Sequence, residues 1–172
     1  MNRKGATQAQ LNTQKLVTFQ LGVDLFAADV LSVERVLRYT PPNTVPDVPK
    51  WIEGVLEHRG KIMPVVDLRK RIELPEFEIT PETRILVLTT PDGLVGGVVD
   101  AVHEVAMVPA DAVSAPPKLF RGVAADFVKG IARLRDQLIV VLDVERVLAS
   151  TDRIALEQFM QAMNAQELAG RG

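Results

Sequence analysis

The sequence contains two divergent copies of one segment, and this duplication constrains the fold more than any other feature. Residues 54–72 (GVLEHRGKIMPVVDLRKRI) align without a gap on residues 130–148 (GIARLRDQLIVVLDVERVL). Glycine, arginine and aspartate recur at the same three places, Gly54/Gly130, Arg59/Arg135 and Asp67/Asp143. Most of the apolar positions between them also stay in register. A repeat of this kind predicts two copies of one structural unit.

The duplication extends towards the amino terminus. Residues 15–22 align on residues 84–91, and residues 25–36 align on residues 94–105. The second copy is longer than the first in its middle, and residues 109–126 hold the extra length. A longer surface loop is tolerated because each doubling of loop length costs only about 0.6 kcal/mol. The two copies therefore predict one fold with loops of different length.

Each copy contains five short segments that we predict to be strands, and those at 15–21, 23–30 and 32–38 alternate apolar and polar residues, the pattern of half-buried strands. They are residues 15–21, 23–30, 32–38, 52–59 and 61–66 in the first copy, and 84–90, 94–99, 102–108, 128–135 and 137–142 in the second. Asp67 and Asp143 each precede a short run of helix formers and are predicted to cap short helices. Five short strands punctuated by glycine favour a small barrel over a sandwich. The sequence therefore predicts a mainly β chain with two five-stranded β-barrels in tandem.

The rest of the chain divides around these copies. Residues 1–14 are polar and are predicted to form a disordered tail. Residues 151–168 carry apolar side chains mostly three and four positions apart, which predicts an amphipathic helix. The predicted division is a tail at 1–14, a first barrel at 15–72, a linker at 73–83, a second barrel at 84–148 within a domain at 15–150, and a C-terminal helix and tail at 151–172.

The composition excludes several classes of function. The chain has 172 residues, a net charge of −2 and no cysteine. The negative charge argues against a nucleic-acid-binding surface, for which a clustered basic face is expected. The absence of cysteine excludes disulfides and thiolate chemistry and fits a cytoplasmic protein. We find neither an apolar run of about 20 residues that would span a membrane nor a secretory signal.

Residues suited to catalysis are sparse. His58 and His103 are the only histidines, they have no partners at metal-ligand spacing, and we expect both to face solvent on strands. The glycine-rich run at 93–97 opens a strand, so no helix N-terminus is available there for a phosphate. The basic run at 69–71 is predicted to be a solvent-exposed helix face. The sequence therefore predicts a protein that is not an enzyme and has no cofactor and no metal.

Two motifs resemble those of the CheW family, the coupling proteins of bacterial chemosensory arrays. They are P-x-W-I-x-G-V-x-x-x-R-G-x-I-x-P-V-V-D-L-R at residues 49–69 and V-G-x-V-V-D-x-V at residues 95–102. The resemblance covers about residues 16–150. It implies two SH3-like barrels around a shared hydrophobic core. It also implies a non-catalytic adaptor that joins chemoreceptor cytoplasmic tips to the regulatory domain of the histidine kinase CheA, with possible ring assembly at membrane-associated arrays.

The resemblance also assigns roles to individual residues. It implies that Arg59, in the R-G turn, contacts the receptor, and that substitution of Gly54 or Gly96 disturbs coupling. Four valines at repeat-equivalent positions are expected to line a receptor groove between the barrels: Val33, Val36, Val102 and Val105. Structural alternatives stand beside each role. Arg59 has Arg135 as its repeat equivalent and so belongs to the turn, the glycines allow close packing or a bulge, and the valines face the core.

The chain departs from the family pattern beside these residues. Arg35 stands where the family commonly has glutamate, and the acidic residue is Glu34 instead, which leaves the receptor partner open. His58 replaces a commonly apolar residue. Two other functions remain alternatives: the same adaptor role in a non-flagellar pathway such as pilus motility, and a small barrel associated with nucleic acid. The second is disfavoured by one tryptophan, one tyrosine and the negative charge.

Overall fold

A computed structural model of the protein describes residues 12–75, 78–91, 93–116, 127–147 and 161, and these residues form a mainly β structure. Its strands are β1 (Thr13–Leu21), β2 (Asp24–Asp29), β3 (Val33–Arg38), β4 (Ile52–His58), β5 (Lys61–Asp67), β6 (Arg84–Thr90), β7 (Gly93–Val99), β8 (Ala101–Pro109), β9 (Val113–Ser114), β10 (Val128–Leu134) and β11 (Gln137–Leu142). Its helices are α1 (Leu68–Arg71) and α2 (Val144–Val147), and 3₁₀ turns cover Val30–Ser32 and Ala110–Ala112. The prediction of a mainly β fold with short helices is confirmed.

The predicted ends of the chain need one correction. Strand β1 begins at Thr13, which pairs with Pro109 of β8, and Gln14 pairs with Val108. The predicted disordered tail was therefore wrong at residues 13 and 14, because backbone pairing with β8 holds them. The predicted C-terminal helix lies outside the described residues except for Gln161, which is helical. No helix within the described part of the chain is long and apolar enough to cross a membrane.

The strands form two sheets, and the chain closes each of them. The first sheet has the order β8-β1-β2-β11-β10-β9, and the second has the order β3-β6-β7-β5-β4. In the second sheet, the chain that continues from β3 reaches β4, where Asn43 and Val55 exchange two backbone hydrogen bonds of 2.9 Å. In the first sheet, the chain that continues from β8 forms β9, which pairs with β10. We call these closed sheets the six-strand barrel and the five-strand barrel.

The sheet order contradicts the predicted division into one barrel per copy at residues 15–72 and 84–148. Strands β1 and β2 of the first copy pair with β8 and β11 of the second, whereas β3, β4 and β5 share a sheet with β6 and β7. The chain crosses between barrels at the 3₁₀ turn Val30–Ser32 and again at Asp100. The hairpins β1–β2 and β6–β7 are therefore exchanged: each lies in the sheet that contains the later strands of the other copy. Each barrel is therefore built from both copies.

A central apolar core joins the two barrels. Phe19, Leu21 and Phe26 of the six-strand barrel lie in one buried cluster with Leu86 and Val99 of the five-strand barrel. Each barrel also has a smaller interior cluster of its own. Burial of each large apolar side chain contributes roughly 1.5–3 kcal/mol, so the central cluster holds the barrels together. The structure thus contains the shared hydrophobic core that the resemblance implied.

Candidate functional site

Arg59 lies in the two-residue turn that joins β4 and β5. Its φ is 51° and that of Gly60 is 76°, and the two residues at the equivalent turn between β10 and β11, Arg135 and Asp136, have φ values of 49° and 64°. Positive φ at both central residues is the geometry of a type I′ turn, whose twist matches that of the flanking strands. The hairpin therefore fixes the backbone of Arg59, and the same geometry recurs at Arg135.

The Arg59 side chain reaches across to the edge strand β3. Its Nη1 donates to Oε1 of Glu34 at 2.9 Å, and 62% of the side chain remains exposed. Arg135 makes the corresponding contact in the six-strand barrel, where its Nη1 lies 3.5 Å from Oε1 of Glu104 on β8. An exposed ion pair of this kind is worth about 0–1 kcal/mol, so it is easily exchanged for another partner. The Arg59 side chain therefore lies over β3 but contributes little to the stability of the fold.

Glu34, which stands one position before the place where the family commonly has glutamate, takes part in this contact. The register of β3 against β6 shifts between Val33 and Arg35, which makes Glu34 the extra residue of a β-bulge. Glu34 pairs with Arg59, while Arg35 is exposed. The exchange of acid and base along β3 therefore places the carboxylate beneath the Arg59 turn.

The four candidate valines divide into two kinds. Val33 and Val102 are partly buried and pack against the central core cluster. Val36 and Val105 are 41% and 55% exposed, on the edge strands β3 and β8. Met107 lies two residues beyond Val105, on the same face of β8, and is also exposed. The first pair faces the core, and the second pair lies on the surface as exposed apolar area.

Gly54 and Gly96 are buried positions that shape the five-strand barrel. Gly54 has a φ of 148°, and a Cβ there would overlap the backbone carbonyl of Asn43, which bonds to Val55. A Cβ at Gly96 would lie 2.9 Å from Cγ2 of Ile85 and 3.2 Å from Cε of Met63. These contacts place the two glycines in strand packing. An effect of either residue on a partner would be transmitted through the barrel.

Sequence reasoning missed the buried arginines of α1. Residues 69–71 were predicted to form a solvent-exposed face, and this was wrong, because Arg69 is 4% and Arg71 is 7% exposed. Arg69 donates Nε to Oδ1 of Asp67 at 3.0 Å and Nη2 to Oδ2 at 2.9 Å, and its Nη1 reaches Oδ1 of Asp100 at 2.9 Å. The hydrogen bonds that Arg69 donates to Asp67 raise the pKa of Arg69 against the opposing effect of burial. Arg69 is therefore a fixed buried cation.

This ion network spans both barrels. Asp67 ends β5 of the five-strand barrel and also caps α1, since its Oδ1 accepts from the backbone N–H of Arg69 at 2.9 Å. Oδ2 of Asp100 accepts from the backbone N–H of Gly22 at 2.7 Å, in the turn between β1 and β2 of the six-strand barrel. We call Asp67, Arg69 and Asp100 the inter-barrel ion network. It fixes one barrel against the other.

Arg71 reinforces the same junction. Its guanidinium lies 5.4 Å from the ring centroid of Trp51 and 4.5 Å from that of Phe127. Both distances fall within the range of cation–π attraction. One signal in the sequence marked these arginines: at the equivalent positions the second copy has Glu145 and Val147, so the two buried cations of α1 have no cationic counterpart in α2.

The histidines behave differently from each other. His103 is exposed, as predicted. His58 is only 8% exposed and its Nε2 has no hydrogen-bond partner, so the prediction that it faces solvent was wrong. It shares a face of β4 with Leu56, which packs against the interior cluster of the five-strand barrel. Within the described ranges no group of three acidic or histidine side chains is placed to hold a metal ion.

A surface cleft of 520 Å³ lies on the six-strand barrel. It is lined by Val23 and Leu138, which are 85% and 60% exposed, and by the charged pair Glu104 and Arg135. Apolar side chains this exposed are unfavourable in water when they cluster, and clusters of this kind mark interaction surfaces. The cleft is therefore a second candidate docking surface, on the opposite barrel from Arg59.

Comparison with known proteins supports one family. The family model described as "CheW-like domain" matches residues 15–152. The chain is 34% identical over 144 residues to chemotaxis protein CheW of Bacillus subtilis, covering 81% of this chain and 90% of that protein. It is 31% identical over 120 residues to protein FrzA of Myxococcus xanthus, covering 70% of this chain and 74% of that protein.

The fold agrees with a solved structure. The crystal structure of the scaffolding protein TtCheW from Thermoanaerobacter tengcongensis superposes with a TM-score of 0.75 at 30% identity, covering 81% of this chain and 94% of that one. The family model spans most of the chain, including both barrels and the inter-barrel ion network. The duplication, the two closed sheets and the shared core are features of the matched region, and the chain belongs to the CheW family.

Proposed function

We propose that the protein is a non-catalytic adaptor of a bacterial chemosensory system. It binds the cytoplasmic tip of a chemoreceptor through the Arg59 turn and β3, and it binds the regulatory domain of a CheA-type histidine kinase through a barrel surface. It acts in the cytoplasm and reaches membrane-associated receptor arrays through these partners. Membership of the family supports this role, and a matched structure is described as a scaffolding protein.

The observation that carries the receptor side is the exposed, exchangeable ion pair of Arg59. Its guanidinium has five N–H donors in a planar fork, and Glu34 takes a bond from only one of its nitrogens. A carboxylate or carbonyl on a receptor helix suits the remaining donors. Val36 supplies exposed apolar area on the same strand, and Val105 supplies it on the equivalent strand of the other barrel.

The kinase side is assigned to the cleft of the six-strand barrel. Val23 and Leu138 offer apolar anchors, and Glu104 with Arg135 forms a polar border. Interfaces commonly have an apolar centre and a polar rim. A kinase domain docked there leaves Arg59 free for the receptor, and barrels that dock on neighbours at both ends allow a ring of alternating kinase and adaptor domains.

The pathway is a separate question. Relatives called chemotaxis protein CheW and protein FrzA match the chain at similar identity, so similarity alone does not select one pathway. The same adaptor role in a non-flagellar pathway therefore stands as the alternative. A nucleic-acid-associated role is disfavoured by the net charge of −2, since such proteins need a basic surface.

The test is a titration of the protein against a receptor cytoplasmic tip and a CheA regulatory domain, with three forms in parallel. These are the wild type, Arg59→Ala and the matched control Arg135→Ala, which removes the same side chain from the equivalent turn. Loss of a charge-assisted hydrogen bond costs roughly 1.5–3 kcal/mol, so Arg59→Ala should weaken receptor binding about 10- to 100-fold. Kinase binding should be unchanged in Arg59→Ala.

The control separates a contact from a turn requirement. Receptor binding by Arg135→Ala should equal that of the wild type. Equal losses in both variants would show that the arginines serve only their turns, and Arg59 would then lose its assigned role. If the wild type binds neither partner, the adaptor function itself is refuted.

A further inference from the structure

A second surface cleft, of 460 Å³, lies on the five-strand barrel where β3 ends and β6 begins. Its charged lining residues are Arg38 at the end of β3 and Arg84 at the start of β6. Tyr39 and Ile79 supply its apolar lining, and 49% of Ile79 is exposed. The cleft is separate from the Arg59 turn and from the cleft of the six-strand barrel.

The two arginines stand directly opposite each other. Arg38 and Arg84 are cross-strand partners in the antiparallel pairing of β3 with β6. Like charges at such a pair are destabilising, because their Cβ atoms are only about 4.5–5.5 Å apart. Nothing in the described part of the chain forms an ion pair or hydrogen bond with the Arg38 side chain. The cleft therefore concentrates two positive charges that no carboxylate of the described residues neutralises.

Backbone carbonyls hold the guanidinium of Arg84 in place. Its Nη1 donates to the backbone carbonyl of Pro81 at 2.7 Å and to that of Thr83 at 2.9 Å. Those bonds occupy one nitrogen of the guanidinium, and Nε and Nη2 keep their N–H groups. A guanidinium anchored through one nitrogen is preorganised, so little side-chain entropy is lost when a carboxylate binds the others. The cleft thus contains one guanidinium held by backbone carbonyls, that of Arg84, and one that is exposed, that of Arg38.

The duplication shows that this charge pair is particular to the five-strand barrel. The repeat equivalents of Arg38 and Arg84 are Met107 and Lys15, which are likewise cross-strand partners, of β8 with β1. The fold therefore accepts one cation and one apolar residue at this pair. The barrel therefore does not require two arginines at this pair. Because their mutual repulsion destabilises the fold, we look for a function that they serve.

We propose that this cleft docks an acidic peptide segment of a partner protein, with a carboxylate between Arg38 and Arg84 and an apolar side chain against Ile79 and Tyr39. Two guanidinium groups complement a carboxylate in charge and geometry. The exposed apolar lining distinguishes a peptide from a small inorganic anion, which would gain nothing from Ile79. This surface adjoins the receptor strand β3 at Arg38, but its lining includes neither Arg59 nor any residue of the cleft assigned to the kinase.

The test is an amide chemical-shift titration of the isotopically labelled full chain by nuclear magnetic resonance. The probe is a synthetic peptide, Gly-Asp-Leu-Glu-Gly with blocked ends, and the matched neutral peptide is Gly-Asn-Leu-Gln-Gly. Inorganic phosphate is titrated separately. We expect the acidic peptide to shift the amides of Arg38, Tyr39 and Arg84 with a Kd of about 1 mM, as a short segment with few contacts should. The neutral peptide should leave them unshifted.

Matched variants decide the outcome. The double variant Arg38→Gln/Arg84→Gln should bind the acidic peptide at least about tenfold more weakly. Lys129→Gln/Arg133→Gln, an equal charge change at exposed positions of β10 in the six-strand barrel, should bind as the wild type does. Equal weakening in both variants, an absence of shifts at the cleft, or phosphate binding as tight as that of the peptide would overturn the proposal. The assay contains neither receptor nor kinase, so its failure leaves the adaptor function standing.

Discussion

Removal of Asp67 should destabilise the protein strongly, because it is the main partner of a buried cation. The Asp67 side chain is 4% exposed and makes three hydrogen bonds, two to the Arg69 guanidinium and one to its backbone N–H. Asp67→Ala would leave Arg69 buried, with Asp100 still accepting from its Nη1. The variant therefore tests whether the inter-barrel ion network stabilises the junction.

The magnitude follows from two contributions. Breaking a buried ion pair by removing one partner costs about 3–5 kcal/mol, and Asp100 brings the expected cost to the low end of that range. Loss of the cap of α1 adds about 1 kcal/mol. We therefore expect Asp67→Ala to lower the free energy of unfolding by about 4 kcal/mol, a large share of the 5–15 kcal/mol typical of a domain.

The duplication supplies the control. Asp143 is the repeat equivalent of Asp67, caps α2 through the backbone N–H of Arg146 at 3.2 Å, and lies 3.8 Å from an Arg146 side chain that is 70% exposed. Solvent screens that pair, so Asp143→Ala should cost about 1 kcal/mol or less. Urea unfolding followed by the fluorescence of Trp51, the only tryptophan, measures both variants.

A third variant tests the physical cause. Asp67→Leu/Arg69→Met replaces the buried pair by apolar side chains, and such replacements are often neutral or stabilising. The double variant should therefore be more stable than Asp67→Ala. If Asp67→Ala and Asp143→Ala differ by less than about 1 kcal/mol, the buried cation does not depend on its partner and the reasoning fails.

Two further predictions concern the five-strand barrel. Gly54→Ala should cost about 2 kcal/mol or more, because the residue has a φ of 148° and its Cβ would meet a backbone carbonyl, whereas Gly60→Ala, with open space around it, should cost only about 1 kcal/mol. Thermal unfolding measures both variants, and an equal loss of stability in the two would show that packing at Gly54 is unimportant. Burial, followed by the charges of Glu53 and Asp67, raises the pKa of Tyr39 above its ordinary value of about 10. Since Tyr39 is the only tyrosine, ultraviolet titration should give a higher midpoint in the folded protein than in urea, and stability should fall as the pH rises above about 10. Equal midpoints would contradict this.

The sequence was sufficient for features that depend on neighbouring residues. The ten predicted strands, the caps at Asp67 and Asp143 and the turn at Gly60 depend on local sequence, and the structure has them close to where the patterns predicted. Strand exchange between the copies depends on pairing between distant segments. Because β3 and β8 carry nearly the same pattern, no local signal says which of them lies beside β1. The barrel division at 15–72 and 84–148 was wrong for this reason.

The candidate site was predictable to the extent that it lies on a hairpin. The position of Arg59 follows from its turn, and its contact with Glu34 follows from a bulge that no local pattern reveals. Arg69 and Arg71 were misplaced because a run of cations after a helix cap is usually solvated. Burial of such charges requires partners from distant segments, here Asp100 and Phe127, and these become visible only once the barrels are joined.

Duplication alone would give two barrels with the same surfaces, whereas an adaptor needs different surfaces for different partners. The structure shows how the copies diverged without loss of the fold. The hairpin arginines were kept at Arg59 and Arg135, but cross-strand charges differ, with Arg38 and Arg84 in one barrel and Met107 and Lys15 in the other. Among the described residues the buried arginines both lie in α1, so the network that joins the barrels is also asymmetric. Because of the strand exchange, each barrel contains segments of both copies. A substitution in either copy can therefore change the junction between the barrels as well as one outer face.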